Sequence, residues 1–380
     1  MKQLAFLLLT LLAVACSPEP PLHLYDAHEV ELEQPVIDID LQVYWNYEMA
    51  FGIDYDWQAE WYYGWDDEDR RLFGELGYTM PGTFSLRRYY TGNTPYAPHT
   101  SVLANTVVGN HFTGRYDWGF WDILVWNQIS TLDGVQSLIF DEETSLDSVV
   151  AFTNQSMRPS RYHAPKFTHA FYEPEQLFSA YDQAIDINAD LEGFVYNEER
   201  NVWVKKLDML LHPITYIYLT QIILHNNRGR IAAVDGMSNL SGLARTTNVN
   251  TGQAGEDAIS VGYSVRLKNN CQKQGESVDI VGGRLMTFGI CNHRANNITR
   301  ADEVSDPYPH YMDVTMQFNN GMDSTFVFDV TRQVRQRYKG GVITVELDLD
   351  TVPIPRRPGG SGFNAVVKEY EDGGTHEFEM

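Results

Sequence analysis

Over residues 36–48 the chain alternates. Ile37, Ile39, Leu41, Val43, Trp45 and Tyr47 take one side; Asp38, Asp40, Gln42, Asn46 and Glu48 take the other, with Tyr44 as the exception. A period of two over this length is a strand with one buried face; on a helix the same apolar residues would point all round. The pattern returns near the other end, where Ile343, Val345, Leu347 and Leu349 alternate with Thr344, Glu346, Asp348 and Asp350. Half-buried strands must cover their apolar faces, and the simplest cover is another sheet.

The sequence between these strands keeps the same rhythm. Residues 118–127 read as a buried strand, and 212–225 (HPITYIYLTQIILH) as a long apolar one rich in β-branched residues. Asn226-Asn227-Arg228-Gly229 makes a turn, 259–268 and 278–290 give further strands, and 311–318 meets 324–330 across Asn319-Asn320-Gly321, a hairpin signal. One short helix is expected over 174–185, which opens on Pro174 and carries Leu177, Phe178, Tyr181 and Ile185 at helical spacing. The basic stretch 332–339 fits either a turn of helix or a solvated connector. A length of 380 residues at roughly 150 per domain gives two or three domains, and many short strands with little helix, broken near 200–210, predict an all-β fold of two tandem β-sandwiches. The expected divisions are 1–16, a signal peptide; 17–35, a tether; 36–206 and 207–352, the two sandwiches; and 353–380, a Pro/Gly-rich linker with an acidic tail.

The N-terminus predicts a destination. Lys2 precedes an apolar run over 4–14 that is too short to cross a bilayer but suits a secretory signal. Ala13-Val14-Ala15-Cys16 then resembles a bacterial lipobox, with Ala13 where Leu is usual, so Cys16 is the expected site of lipidation. Ser17-Pro18-Glu19-Pro20-Pro21 reads as an extended tether. Of the two remaining cysteines, Cys271 and Cys291, the sequence allows either a disulfide or free thiols.

Charge and motifs narrow the chemistry. With 28 basic against 51 acidic residues the net charge is −23, a field that repels phosphate backbones and argues against nucleic acid as a partner. The sequence carries no Gly-rich phosphate loop, no H-E-x-x-H, no calcium loop and no G-x-S-x-G elbow. Cys291-x-His293 is the nearest approach to a metal pair, short of the three or four ligands zinc needs. Paired carboxylates for glycoside hydrolysis leave no spacing signature. The expectation is therefore a non-enzymatic chain with no catalytic residue, cofactor or metal. Residues 54–69, which hold Trp57, Trp61, Tyr62, Tyr63 and Trp65 before Asp66-Asp67-Glu68-Asp69, fit either a strand with a solvated acidic loop or a sticky aromatic surface for glycan or protein.

Taken in order, Cys16, residues 117–127 (DWGFWDILVWN), 239–244 (NLSGLA), Thr287-Phe288-Gly289, 325–334 (TFVFDVTRQV) and the Gly-rich, acidic end 359–380 resemble the fimbrillin-like lipoproteins of Bacteroidales-type bacteria. The resemblance implies transthyretin-like sandwiches on a lipid anchor in the outer membrane, facing the cell surface. It also implies a structural or adhesive role, as a pilus anchor or accessory subunit joined to fimbrial subunits by β-strand addition; the alternative is a stand-alone surface lipoprotein that binds glycan or host protein. In pilus-forming members a trypsin-like protease removes the first strand. Here no Lys or Arg lies between Cys16 and Arg70, so such a protease has no site near the strand at 36–48.

Overall fold

The computed structural model describes residues 34–43, 57–129, 137–141, 146–159, 169–292 and 306–355. Cys16, the tail from 356 onward and His293 lie outside them. The first half contains β1 (Val36–Val43), α1 (Trp57–Glu60), α2 (Asp67–Phe73), β2 (Thr83–Gly92), β3 (Ser101–Val108), β4 (His111–Arg115), β5 (Gly119–Asn127), β6 (Leu138–Asp141), β7 (Val150–Thr153), β8 (Gln155–Pro159), β9 (His169–Tyr172), β10 (Phe178–Ile187), β11 (Val195–Asn197) and β12 (Val202–Pro213). The second half contains β13 (Tyr216–His225), β14 (Ile231–Ala244), β15 (Thr246–Asn248), β16 (Ala258–Ser264), β17 (Arg266–Lys273), β18 (Glu276–Thr287), β19 (Tyr311–Phe318), β20 (Asp323–Asp329), α3 (Thr331–Gln336) and β21 (Gly341–Asp348). The described residues are all-β in class, with three short α-helices and one 3-10 turn at Leu146–Ser148.

The first sandwich follows the path β3-β2-β5-β10-β12-β1-β4. β10 and β12 meet at Phe178–Pro213 and Ser179–His212, and there the path bends into two layers. Their shared core takes Ile37, Ile39 and Leu41 from β1, Leu86 from β2, Trp121, Ile123 and Val125 from β5, and Leu211 from β12. β3 and β4 stand at opposite ends of the path yet are joined through Gly109 and Asn110, so the sheet curls back on itself. Arg88 ties this seam: its Nε donates to Asn105 at 3.1 Å and its Nη1 to the Arg115 carbonyl at 2.9 Å. Its guanidinium also lies 4.8 Å from the Tyr116 ring centre.

In the second sandwich, β17-β18-β13-β21 faces β20-β19-β14-β16-β9-β8. β8 and β9 precede β10 in the chain, so the first half lends two strands to this sheet; β9 runs parallel to β16. A small sheet, β15-β7-β6, adds to a further core in which Leu124 and Trp126 of β5 meet Ile214, Tyr216 and Phe288. The expected division at 206/207 falls inside β12, whose twelve residues pair with strands of the first sandwich, and the chain crosses at Ile214 and Thr215.

β13 explains why 212–225 is apolar without alternation. Tyr218, Ile222 and Leu224 enter the sandwich core. Ile217, Leu219 and Ile223 face the other way and are covered by Trp61 and Tyr63. A strand buried on both faces reads as a continuous apolar run.

Two expectations are corrected. The helix over 174–185 is instead β10. A bulge between Asp182 and Ile185, with Ala184 at φ 55°, shifts the strand's phase, so Phe178 and Ile185 both reach the core and their spacing imitates a helix. The described part of the aromatic stretch, from Trp57, holds no strand: α1 and the start of α2 flank an irregular segment, and of the acidic run Asp66, Asp67 and Glu68 are exposed while Asp69 is buried. Asp66 caps α2 by accepting from the Asp69 N–H while the Asp69 carboxylate accepts from the Asp66 N–H, a reciprocal capping box. The basic stretch resolves to α3, with Val334 buried.

Candidate functional site

The site built around the first strand is a slot with its own occupant. β1 runs parallel to β12 from Val36–Val204 to Val43–Leu211 and antiparallel to β4 from Val36–Arg115 to Asp40–His111. Both edges of the strand are therefore hydrogen-bonded. Ile37 and Ile39 are 0% exposed and Leu41 is 3%. Burying one such side chain stabilises by about 1.5–3 kcal/mol. Three of them match the net stability of a small domain, about 5–15 kcal/mol.

The opposite face of β1 carries its polar row. Asp38 accepts from Arg200 Nη1 at 2.8 Å and from Thr113 Oγ1 at 2.9 Å. Burial raises the Asp38 carboxyl, but the Arg200 and Thr113 hydrogen bonds outweigh it and hold it below the usual carboxylate range. Asp40 lies 2.8 Å from His111 Nδ1. Arg200 sits in the turn between β11 and β12, and nothing in sequence spacing marks it as a partner of Asp38. At the ends, Leu41 N–H donates to Asn110 and Tyr116 N–H to Pro35.

Downstream of β1, residues 57–78 cross onto the second sandwich and form a strap over the outer face of its β13 sheet. Gln221, fully buried in mid-β13, accepts from the Tyr62 and Tyr63 N–H groups at 3.0 and 3.3 Å. It donates to the Glu60 carbonyl at 2.6 Å and to Thr344 Oγ1 at 2.9 Å. Tyr63 donates to Asp69 at 2.9 Å, and Asp69 in turn pairs with Lys268 and Arg266. The Tyr63 ring lies flush on β18 because position 282 is glycine: a Cβ there would stand 2.5 Å from the ring. The five aromatics therefore do not form one exposed patch. Trp61 and Tyr63 are core residues, while Trp57, Tyr62 and Trp65 are half-buried.

The last strand among the described residues, β21, also pairs in parallel, with β13 from Tyr218–Gly341 to His225–Asp348, but among those residues it ends its sheet. At Thr344 its outer edge is met by a side chain. Gln333 of α3 donates from Nε2 to the Thr344 carbonyl at 2.8 Å, and its Oε1 accepts from the Thr344 N–H at 2.9 Å. Cys271 and Cys291 are not joined in a disulfide; Cys291 is buried and Cys271 half-buried.

No family model matches the chain, and no curated protein matches it. Among solved structures it is similar to a candidate adhesin from Bacteroides ovatus, with a TM-score of 0.49 and 13% identity over 86% of this chain and 94% of that one. A candidate adhesin from Bacteroides thetaiotaomicron gives a TM-score of 0.44 and 10% identity over 83% and 93%. The fimbrial anchor protein Mfa2 from Porphyromonas gingivalis gives 0.41 and 11% over 82% and 90%. Scores and identities of this size carry no function from one chain to another.

Proposed function

We propose that this chain is a fimbrillin-like, lipid-anchored lipoprotein of the outer-membrane surface, with a structural and adhesive role at the base of a fibre or beside it. Cys16 is the residue that carries the lipid, and residues 17–35 are the tether. The two sandwiches are its two domains, the division falling at Ile214–Thr215. The observation that supports an assembly role most is the place of β1. An N-terminal strand that enters between β4 and β12, buries an apolar row and follows a tether has the properties strand addition needs.

The same geometry favours an anchor or accessory subunit over a shaft subunit. A slot filled by its own β1 cannot accept a neighbour's strand. The first basic residues after Cys16 are Arg70 and Arg71 in α2, so a cut there takes away β1 and also Trp61 and Tyr63, which cover β13. The test is mass spectrometry of the mature N-terminus, from outer membranes and from sheared surface fibres. The expected species begins at lipidated Cys16 and partitions with the membranes. A species in fibres that begins after Arg70 or Arg71 overturns the proposal and makes the chain a processed shaft subunit.

A further inference from the structure

The first and last strands among the described residues stand in a mechanical relation to the chain between them. β1 runs parallel to β12, with Val36 beside Val204 and Val43 beside Leu211. β21 runs parallel to β13, with Gly341 beside Tyr218 and Asp348 beside His225. β12 leads into β13 through Ile214 and Thr215 alone. Tension applied before β1 and after β21 therefore enters at the start of the first ladder. It crosses from β12 to β13 in covalent chain and leaves at the far end of the second ladder. In each ladder one strand is drawn back at its start while its neighbour is drawn forward at its end. Strands pulled this way can only slide along each other, so the evenly spaced bonds of a parallel ladder are all loaded together.

Sliding is opposed by side chains as well as by the ladders. A slip of one residue turns every side chain of a strand to the wrong face. In β1 it would put Asp38 and Asp40 where Ile37, Ile39 and Leu41 are buried; in β21 it would put Thr344 and Glu346 where Ile343, Val345 and Leu347 are buried. Both polar rows are also pinned. Asp38 is held by Arg200 and Thr113, and Asp40 by His111. Thr344 is held at its hydroxyl by Gln221 and at its backbone by Gln333. Glu346 pairs with Lys273 and His225, and Asp348 accepts from Asn226 Nδ2 at 2.8 Å. We infer that the chain is a tension-bearing link, made of two shear-loaded joints in series. Among the described residues β1 has a ladder on each edge and β21 has one, so the β21 joint yields first. This holds whatever group is attached ahead of β1.

The test holds single molecules of the full chain at constant force in optical tweezers. Handles are joined to cysteines at exposed positions, in a Cys16→Ser, Cys271→Ser background. With Gln34→Cys and Ile354→Cys the pull runs along the chain and shears β21. With Arg228→Cys and Ile354→Cys both handles stand at the same end of the β13–β21 ladder, and the same strand is peeled one hydrogen bond at a time. Neither pair alters a residue of β13 or β21, so the two differ in the direction of load and keep the same urea midpoint. At equal force the sheared molecule is expected to survive at least about tenfold longer, the factor that one more hydrogen bond broken together adds to a barrier. Gln333→Ala is expected to shorten the sheared lifetime about fivefold or more. A peeled molecule that survives as long as the sheared one overturns the inference, and so does a sheared lifetime that Gln333→Ala leaves unchanged.

Discussion

β1 and β21 are built from the same kind of sequence and end in different situations. Both alternate cleanly, both pair in parallel with a distant strand over eight residues, and both send a buried aliphatic row into a sandwich core. β1 has a second neighbour in β4, whereas β21 has a sheet edge. That edge is blunted by one amide, Gln333, which occupies the donor and acceptor of Thr344 as a neighbouring strand would. The difference teaches where exchange can occur. Removing β1 leaves two facing ladders and an open core, a shape that selects another strand. Removing β21 leaves one ladder and no slot.

The largest effect that could break this comparison comes from charge in the core row of β1. Ile39→Asp places a carboxylate at a fully buried position, and a loss of about 4 kcal/mol or more is expected. Amide exchange should accelerate in β4 and β12 while β13 and β18 keep their protection; equal acceleration everywhere would mean β1 is not a separable element. Next, Ile343→Ala in β21, also fully buried, is expected to cost about 2–5 kcal/mol in urea unfolding, with the loss confined to the β13 sheet. Third, Gln333→Ala removes two hydrogen bonds from the edge of β21 for about 1–3 kcal/mol. It should also make the chain self-associate with rising concentration in sedimentation, which the parent should not do.

The smallest expected effects are in the polar rows. Glu346 of β21, like Asp38, is raised by burial and lowered further by its partners, here Lys273 and His225, so both carboxyls sit below their ordinary values. The stability each contributes is present above its unfolded pKa, about 3.9 for Asp and 4.3 for Glu, and is lost as pH falls through the lower folded value. Asp38→Asn should flatten the acid limb of the stability curve and cost about 1–3 kcal/mol at neutral pH, because the Asp38 side chain is 12% exposed. Glu346→Gln should cost less than about 1 kcal/mol, because that side chain is 47% exposed.

Strands that keep their phase were legible in the sequence. β1, β5, β21 and the hairpin of β19 and β20 follow from alternation, a buried-type run and an Asn-Asn-Gly turn. β13 was legible as a strand, but the reason for its unbroken apolarity was not, since its second cover comes from Trp61 and Tyr63, about 160 residues earlier. β10 was misread because one bulge converts a period of two into an apparent helical spacing. The acidic run at 66–69 was read as solvated, which holds for Asp66, Asp67 and Glu68; Asp69 is the exception, fully buried where it closes the capping box with Asp66. At the candidate site, the apolar row of β1 could be named in advance. Its polar partners, Thr113, His111 and Arg200, and the Gln333 plug could not, because they meet through the tertiary fold rather than through spacing in the chain.

The central claim is that β1 stays in its slot while the protein does its work. Asp38 and Thr113 stand directly opposite each other on β1 and β4, so Asp38→Cys with Thr113→Cys offers a disulfide that locks the strand in place. The most direct measurement compares surface display and fibre yield of the locked protein before and after reduction. The account predicts that the lock forms and that neither quantity changes. Fibres that vanish when the strand is locked and return on reduction would show that β1 must leave its slot, and would contradict it.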